Sequence, residues 1–291
     1  MKSERLQVSI IAPAYNEEKS IGSVLKEIKD VMNHSRLSYE IIVVNDGSTD
    51  KTREVLNNSK LNIKVFNHKV NRGYGASLKT GICNAQHEIV VITDADGTYP
   101  NERIPELVSY MKDYDMVVGA RTGASTKVPL VRKPAKWVIN RLANYLTGVI
   151  IPDLNSGLRV MKKAIANKFA RLLPDQFSYT ATITLAMLTN GYQVKYVPVD
   201  YHARIGQSKI KPIRDTLNFI QLIVRTVMYF NPLKVFIPLS LVLFFMSVGV
   251  FLYSYFFTPK VMDVTTVILF VSAIQVLAIG MVADLVNKRI K

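Results

Sequence analysis

Five short apolar runs punctuate the first 120 residues: VSIIAP (8–13), YEIIVVND (39–46), IKVFNH (63–68), EIVVITD (88–94) and DMVVGA (115–120). Each has a Val- and Ile-rich core of a few residues, the signature of a buried strand. Helical spacing fills the intervals at about 19–34, 50–59, 75–86 and 101–113, with Ser48 or Thr49 placed to cap the second helix and Asn101 the fourth. Strands and helices in alternation, with strands apolar along their whole length, predict a mostly parallel sheet covered on both faces. Such sheets bind ligands at the carboxyl ends of their strands. The polar motifs fall at those ends: AYNEE, NDGSTD, DADG and GAR.

The pattern changes after residue 120. From Arg121 to Ile151 the chain has six basic residues and no acid, and a second basic stretch holds Arg204, Lys209, Lys211 and Arg214. Residues 213–230 follow, with Leu217, Ile220, Ile223, Val224 and Val227 at helical spacing. They predict an amphipathic helix on a membrane surface, with a core helix of the preceding domain as the plainer reading. Two long apolar runs, about 235–257 and 264–286, close the chain. Neither carries Lys, Arg or Glu, and each has roughly the 20 residues a bilayer crossing needs. The expected organisation is therefore a catalytic α/β domain (1–211), a surface helix (212–232) and a two-helix membrane hairpin (233–291). Arg214, Arg225 and Lys234 before the hairpin, and Lys288, Arg289 and Lys291 after it, predict that both termini face the cytoplasm of a cell membrane spanned twice.

Charge narrows the partners. Lys and Arg total 37 against 22 Asp and Glu, a formal net charge of +15, which favours anionic ligands. No helix-turn-helix or RNA-binding signature is present, so phosphate ligands and membrane lipids explain the basicity better than nucleic acid. The single cysteine, Cys83, excludes an internal disulfide. The N-terminus lacks the apolar core of a secretory signal, consistent with a cytoplasmic catalytic part.

Asp94 and Asp96 flank one alanine at the end of the fourth strand. Two hard oxygen ligands suit Mg²⁺ or Mn²⁺, which keeps positions for water and a diphosphate; the plainer reading is a strand end facing water. Asp46 can accept the imide N–H of a uracil or the N–H groups of a guanine, or can cap the helix starting near Asp50. Tyr15 can pack on a base or ribose, and Glu17 can accept ribose hydroxyls. Gly73 and Gly75, before a helix that carries Lys79, allow close backbone approach to a ligand. His202 reads as structural, and Trp137 as a headgroup-level anchor.

These stretches together resemble a known family. VSIIAPAYNEEKSIGSVL, EIIVVNDGSTDKT, NRGYGASLKTGI and VITDADGTYP resemble glycosyltransferase family 2, which has the GT-A fold. DLNSGLRVMKK (153–163) and GQSK (206–209), followed by a surface helix and two spans, resemble its polyprenyl-phosphate, or dolichyl-phosphate, branch. The resemblance implies a nucleotide-sugar donor and a polyprenyl or dolichyl monophosphate acceptor. It implies that Pro13, Tyr15, Glu17 and Asp46 hold the nucleoside, with Gly73 and Lys79 beside them. Asp94 would lie near ribose and metal, with Asp96 the principal metal ligand. Arg121, Arg159 and Lys209 would handle phosphates, with Arg132 and Ser208 joining Arg159 and Lys209 around the acceptor. Arg132, Lys133 and Lys136 read equally well as a solvated charge run.

Two departures stand out. Mannose synthases of this group often continue Asp-Ala-Asp with Leu-Gln, the Gln also ligating metal, where this chain has Gly97-Thr98-Tyr99. Thr98 replaces that ligand only weakly, which favours a UDP-sugar over GDP-mannose. Asn45 stands where the family usually has an Asp, leaving base recognition to Asp46. A polysaccharide synthase would carry a Gln-x-x-Arg-Trp motif, and the lone Trp137 follows KPAK instead. A non-catalytic membrane scaffold would have no need of Asp46, Asp94, Asp96, Arg159 and Lys209. A homo-oligomer is an expectation by analogy alone.

Overall fold

A computed structural model describes residues 6–122, 141, 143–145, 147–176, 178–202, 224, 228–229, 231–258 and 262–290. The five expected strands form: β1 (Gln7–Ala14), β2 (Ser38–Asn45), β3 (Lys64–Asn67), β4 (Ile89–Ile92) and β5 (Met116–Ala120). Two further strands, β6 (Arg159–Lys162) and β7 (Val194–Pro198), complete a seven-stranded sheet of order β3-β2-β1-β4-β6-β5-β7. All pairings are parallel except those of β6, which runs antiparallel between β4 and β5.

Strand alternation sends successive side chains to opposite faces. On one face Ile10, Val43, Val91 and Val160 pack against Val24, Leu25 and Ile28 of α1 (Ile21–His34) and Leu107 of α4 (Ile104–Ser109). On the other, Ile11, Ile42, Ile92 and Met161 meet Leu78 and Ile82 of α3 (Tyr74–Asn84), Phe169 of α5 (Lys163–Phe169) and Ile183 of α6 (Tyr179–Thr189). Both faces are thus covered, as the unbroken apolar strands require.

The helix starts differ from expectation. In α2 (Thr52–Asn57) neither Ser48 nor Thr49 caps; Asp50 takes the Thr52 N–H at 2.9 Å. Ser48 and Thr49 instead bind Asn16, which ties the loop after β2 to the loop after β1. Asn101 accepts the Thr93 hydroxyl at 2.8 Å and opens a 3₁₀ turn, Asn101–Arg103. The expected helix over 101–113 is α4 flanked by that turn and a second, Tyr110–Lys112.

The chain ends in two long apolar helices, α7 (Leu233–Phe257) and α8 (Asp263–Ile290), packed as a hairpin. Both are long and apolar enough to cross a membrane. Ser240 donates to Ala273 O and Ser247 to Thr266 O, each at 2.9 Å, so hydroxyls bridge the pair. Gly280 lets α8 approach Phe236, whose Cβ would lie 2.5 Å from an added methyl. The surface helix expected at 213–230 falls almost wholly outside the described residues, as does the basic run 123–140 with Trp137.

Candidate active site

The loops that follow β1, β2 and β4 converge at the carboxyl edge of the sheet. After β1, Asn16 adopts φ 56°, a left-handed conformation that asparagine tolerates. Its N–H donates to Ser48 Oγ at 3.0 Å, while Glu17 N–H reaches Thr52 Oγ1 at 2.8 Å and Glu18 N–H reaches Asp50 at 3.1 Å. Pro13 is buried in β1, and Tyr15 and Glu17 are half-buried beside this latch. The Glu17 carboxylate accepts the Ser20 hydroxyl at 2.9 Å.

Asp46 does not cap α2. It is 3% exposed and accepts N–H groups from Arg72 at 2.9 Å and Gly73 at 2.8 Å, with His68 Nδ1 at 2.6 Å. It therefore fastens the start of α3, where a carboxylate complements the helix dipole. His68 passes the contact on to Thr80 of α3 through Nε2 at 3.0 Å. Asn45 has its own partner: its amide donates to Asn67 at 2.8 Å, across β2 and β3. Gly73 (φ 104°) and Gly75 do allow a close approach, but to backbone: a Cβ on either would collide with carbonyl oxygens of Pro174 or Asp175. Lys79 pairs with Asp175 at 2.7 Å.

The Asp-Ala-Asp turn is held on several sides. Tyr74 donates its hydroxyl to Asp94 Oδ1 at 2.9 Å. Asp96, 7% exposed, accepts the Thr98 N–H at 3.1 Å and the Thr98 hydroxyl at 2.6 Å, closing a turn on Gly97 at φ 71°. Thr98 thus orients Asp96. Gly157 packs on Asp94; an added Cβ would lie 2.5 Å from Asp94 Oδ2. The Gly157 N–H donates to the Tyr99 hydroxyl at 2.6 Å. Tyr99 meets Tyr201 edge to face, with ring centroids 5.3 Å apart, and His202 N–H donates to Thr98 O at 2.9 Å. Burial, reinforced by Asp94, pushes the Tyr74 and Tyr99 hydroxyls well above the usual phenol range, so both stay protonated.

Two arginines expected on phosphates are engaged elsewhere. Arg121 forms a forked pair with Asp153, from Nε at 2.7 Å and NH2 at 2.9 Å, and lies over the Tyr201 ring. Burial alone would weaken both charges. The paired hydrogen bonds outweigh it, raising the guanidinium pKa and holding Asp153 below the usual carboxylate range. Arg159 is wholly buried. Its guanidinium serves Ser156 O, Thr180 O at 2.9 Å and Thr184 Oγ1 at 3.0 Å, and burial lowers its pKa. In this arrangement Arg159 cannot touch a phosphate; it holds the 153–158 loop against the sheet. Arg132, Ser208 and Lys209 lie outside the described residues.

Sequence reasoning missed Tyr74, Tyr99, His68, Asp153 and Gly157. Tyr74, Tyr99, Asp153 and Gly157 sit inside the quoted motifs, but only contact across the fold reveals their work. Among the described residues no three of His, Cys, Asp and Glu gather into a ligand set. Asp94 and Asp96 nonetheless fit a hard divalent cation whose remaining ligands are diphosphate oxygens and water.

Comparison with known proteins agrees with this architecture. Residues 9–169 match the model of glycosyl transferase family 2, and residues 231–288 match the GtrB C-terminal hairpin. A dolichyl-phosphate hexose transferase of Haloferax volcanii is 30% identical over 70% of this chain and 87% of its own. A dodecaprenyl-phosphate galacturonate synthase of Rhizobium johnstonii is 24% identical over 98% of this chain and 89% of its own. In fold, the chain is similar to glucosyl-3-phosphoglycerate synthase from Mycobacterium tuberculosis, solved with Mn²⁺, uridine diphosphate and phosphoglyceric acid. The TM-score is 0.61 at 19% identity, over 78% of this chain and 80% of the other.

Proposed function

The chain belongs to glycosyl transferase family 2, and on that premise we propose that it moves a sugar from a UDP-sugar, such as UDP-glucose or UDP-N-acetylglucosamine, to a polyprenyl or dolichyl monophosphate at a membrane. One observation carries the reading: a tightly oriented Asp94–Asp96 turn at the ligand edge of the sheet, in a chain that ends in an apolar hairpin. The relatives named for lipid-phosphate sugar transfer support the acceptor.

The acceptor phosphate has a second pKa of about 6 and is largely dianionic at pH 7, so it needs no strong base. Its oxygen attacks the anomeric carbon. The bond from that carbon to the diphosphate breaks, and the electron pair leaves with the nucleoside diphosphate. A single in-line displacement inverts the centre, so an α-linked donor gives a β-linked lipid-phosphate sugar. Asp94 and Asp96 would hold Mg²⁺ or Mn²⁺, which when bound would supply charge neutralisation for the departing diphosphate. Pro13, Tyr15, Glu17 and Asp46 form the nucleoside side, with Gly73 and Lys79 adjacent. Arg132, Ser208 and Lys209 receive the acceptor phosphate and reduce repulsion between two anions. Arg121 and Arg159 position the loops that frame this chemistry. The hairpin spans the membrane with both ends cytoplasmic and keeps the site at the headgroup plane.

The test uses the full chain purified in detergent, a polyprenyl phosphate and Mg²⁺, with each of UDP-glucose, UDP-N-acetylglucosamine and GDP-mannose, and mass spectrometry of the lipid. Product from one UDP-sugar, lost in Asp96→Ala, supports the reaction and the metal site together. Product from GDP-mannose alone overturns the reading of Gly97-Thr98. Nucleotide release only with another acceptor removes the lipid phosphate from the reading.

A further inference from the structure

One short loop closes on Asp46. Residues 68–73 run from β3 into α3 and supply the three donors that meet the Asp46 carboxylate among the described residues. Oδ1 accepts the Arg72 N–H at 2.9 Å and meets His68 Nδ1 at 2.6 Å, while Oδ2 accepts the Gly73 N–H at 2.8 Å. Gly47, at φ 68°, packs against the same loop: a Cβ there would stand 2.5 Å from the carbonyl carbon of Val70. The His68 ring is held at both nitrogens, since Nε2 meets Thr80 Oγ1 at 3.0 Å, and its side chain is 7% exposed. A carboxylate only accepts, so Nδ1 carries the proton in the contact with Asp46.

A carboxylate offers about four acceptor sites, two on each oxygen. At Asp46 both sites of Oδ1 are filled and one of Oδ2. One site remains, on Oδ2. The side chain is 4% exposed, so water does not stand in for a missing partner. Nucleobases differ in the number of donors they bring to such an acceptor. Uracil has one ring N–H between two carbonyls. Guanine has a ring N–H and an amino group side by side, which a carboxylate takes with both oxygens. Hypoxanthine has the purine frame of guanine without the amino group, so it offers one donor on that edge, as uracil does.

Resting on the reading that Asp46 faces the nucleoside, we propose that His68 determines base specificity: by filling Asp46 Oδ1 it leaves a single acceptor, which admits a base with one edge donor and rejects guanine. His68 acts through Asp46 and is a positioning residue. The unmatched donor of guanine lowers affinity about tenfold or more. A clamp that merely held the loop would add stability without sorting bases.

The test is isothermal titration of the full chain in detergent with Mn²⁺ and, separately, the diphosphates of uridine, inosine and guanosine. Comparing the two purines removes base size from the question. The wild-type chain should bind the uridine and inosine diphosphates, and the inosine form about tenfold more tightly than the guanosine form. His68→Leu should shrink that gap to about threefold or less. His68→Gln, whose amide reaches Thr80 and not Asp46, should do the same and serves if the leucine variant fails to fold. His68→Asn keeps a donor where Nδ1 lies and loses Thr80; it should retain the gap while melting earlier. Equal binding of the two purines by the wild-type chain, or binding of neither beside good binding of uridine diphosphate, overturns the role of His68 and leaves the donor reading intact. A gap unchanged in both His68→Leu and His68→Gln overturns it as well. No binding of any nucleotide by the wild-type chain removes the nucleotide-sugar reading and this inference with it.

Discussion

Replacing Asp153 with asparagine tests whether the Arg121–Asp153 pair organises the edge of the site. The aspartate accepts three hydrogen bonds from Arg121: one from the backbone N–H at 3.0 Å and two from the guanidinium. Its side chain is 10% exposed and that of Arg121 26%. Breaking a fully buried pair costs about 3–5 kcal/mol, because one charge is left without compensation. Partial exposure of Arg121 and its place over Tyr201 bring the expectation for Asp153→Asn to about 2–4 kcal/mol. At about 2–4 °C per kcal/mol for a domain of this size, the melting temperature should fall by about 5–15 °C. Calorimetry in detergent between pH 3 and 7 checks this and carries a second signature. The folded pKa of Asp153 is lowered, so its contribution is fully present above the unfolded value near 3.8 and is lost as pH falls through the folded value. The wild-type chain should therefore lose stability below about pH 4, and the asparagine variant should lose less over the same interval. A variant melting within about 2 °C of wild type, with an unchanged acid slope, would refute the assignment of Arg121 to Asp153.

Further outcomes follow from the same contacts. Gly157→Ala places a methyl 2.5 Å from Asp94 Oδ2, so turnover should drop about a hundredfold while the fold persists, read by activity beside calorimetry. Tyr74→Phe removes the hydroxyl on Asp94 and should weaken Mn²⁺ binding about tenfold, measured by electron paramagnetic resonance. Arg159→Lys replaces the separate guanidinium nitrogens that reach Ser156 O and Thr180 O with one nitrogen and should destabilise by about 2–3 kcal/mol; unchanged stability would point to a solvent-facing arginine.

The alternation of apolar runs and helical spacing made β1 to β5 and the first four helices legible, because each strand is apolar on both sides and each helix shows a stripe. β6 escaped notice for a physical reason. Its four residues, Arg159 to Lys162, begin and end with charges, and only the fold reveals that Arg159 is buried among carbonyls. α6 escaped for the opposite reason: it is buried all round, so it has no stripe to detect. At the site, Asp94 and Asp96 were readable from their spacing at a strand end. The partners that orient them come from far away in sequence, such as Tyr74 and Gly157, and no local pattern announces a contact of that kind. Arg121 and Arg159 look alike in sequence, as cations beside glycine motifs. Burial and available acceptors separate their roles.

The place of β6 between β4 and β5 also sets an order in time. Without β6, β4 has no hydrogen-bonded neighbour toward β5, and β3-β2-β1-β4 is separated from β5. A nascent chain must therefore extend past Lys162 before its sheet can close, a long-range step and hence a slow one. Gly157 enters with that strand, so Asp94 gains its packing partner only when the sheet becomes continuous. Assembly of the Asp94–Asp96 turn thus waits for most of the domain.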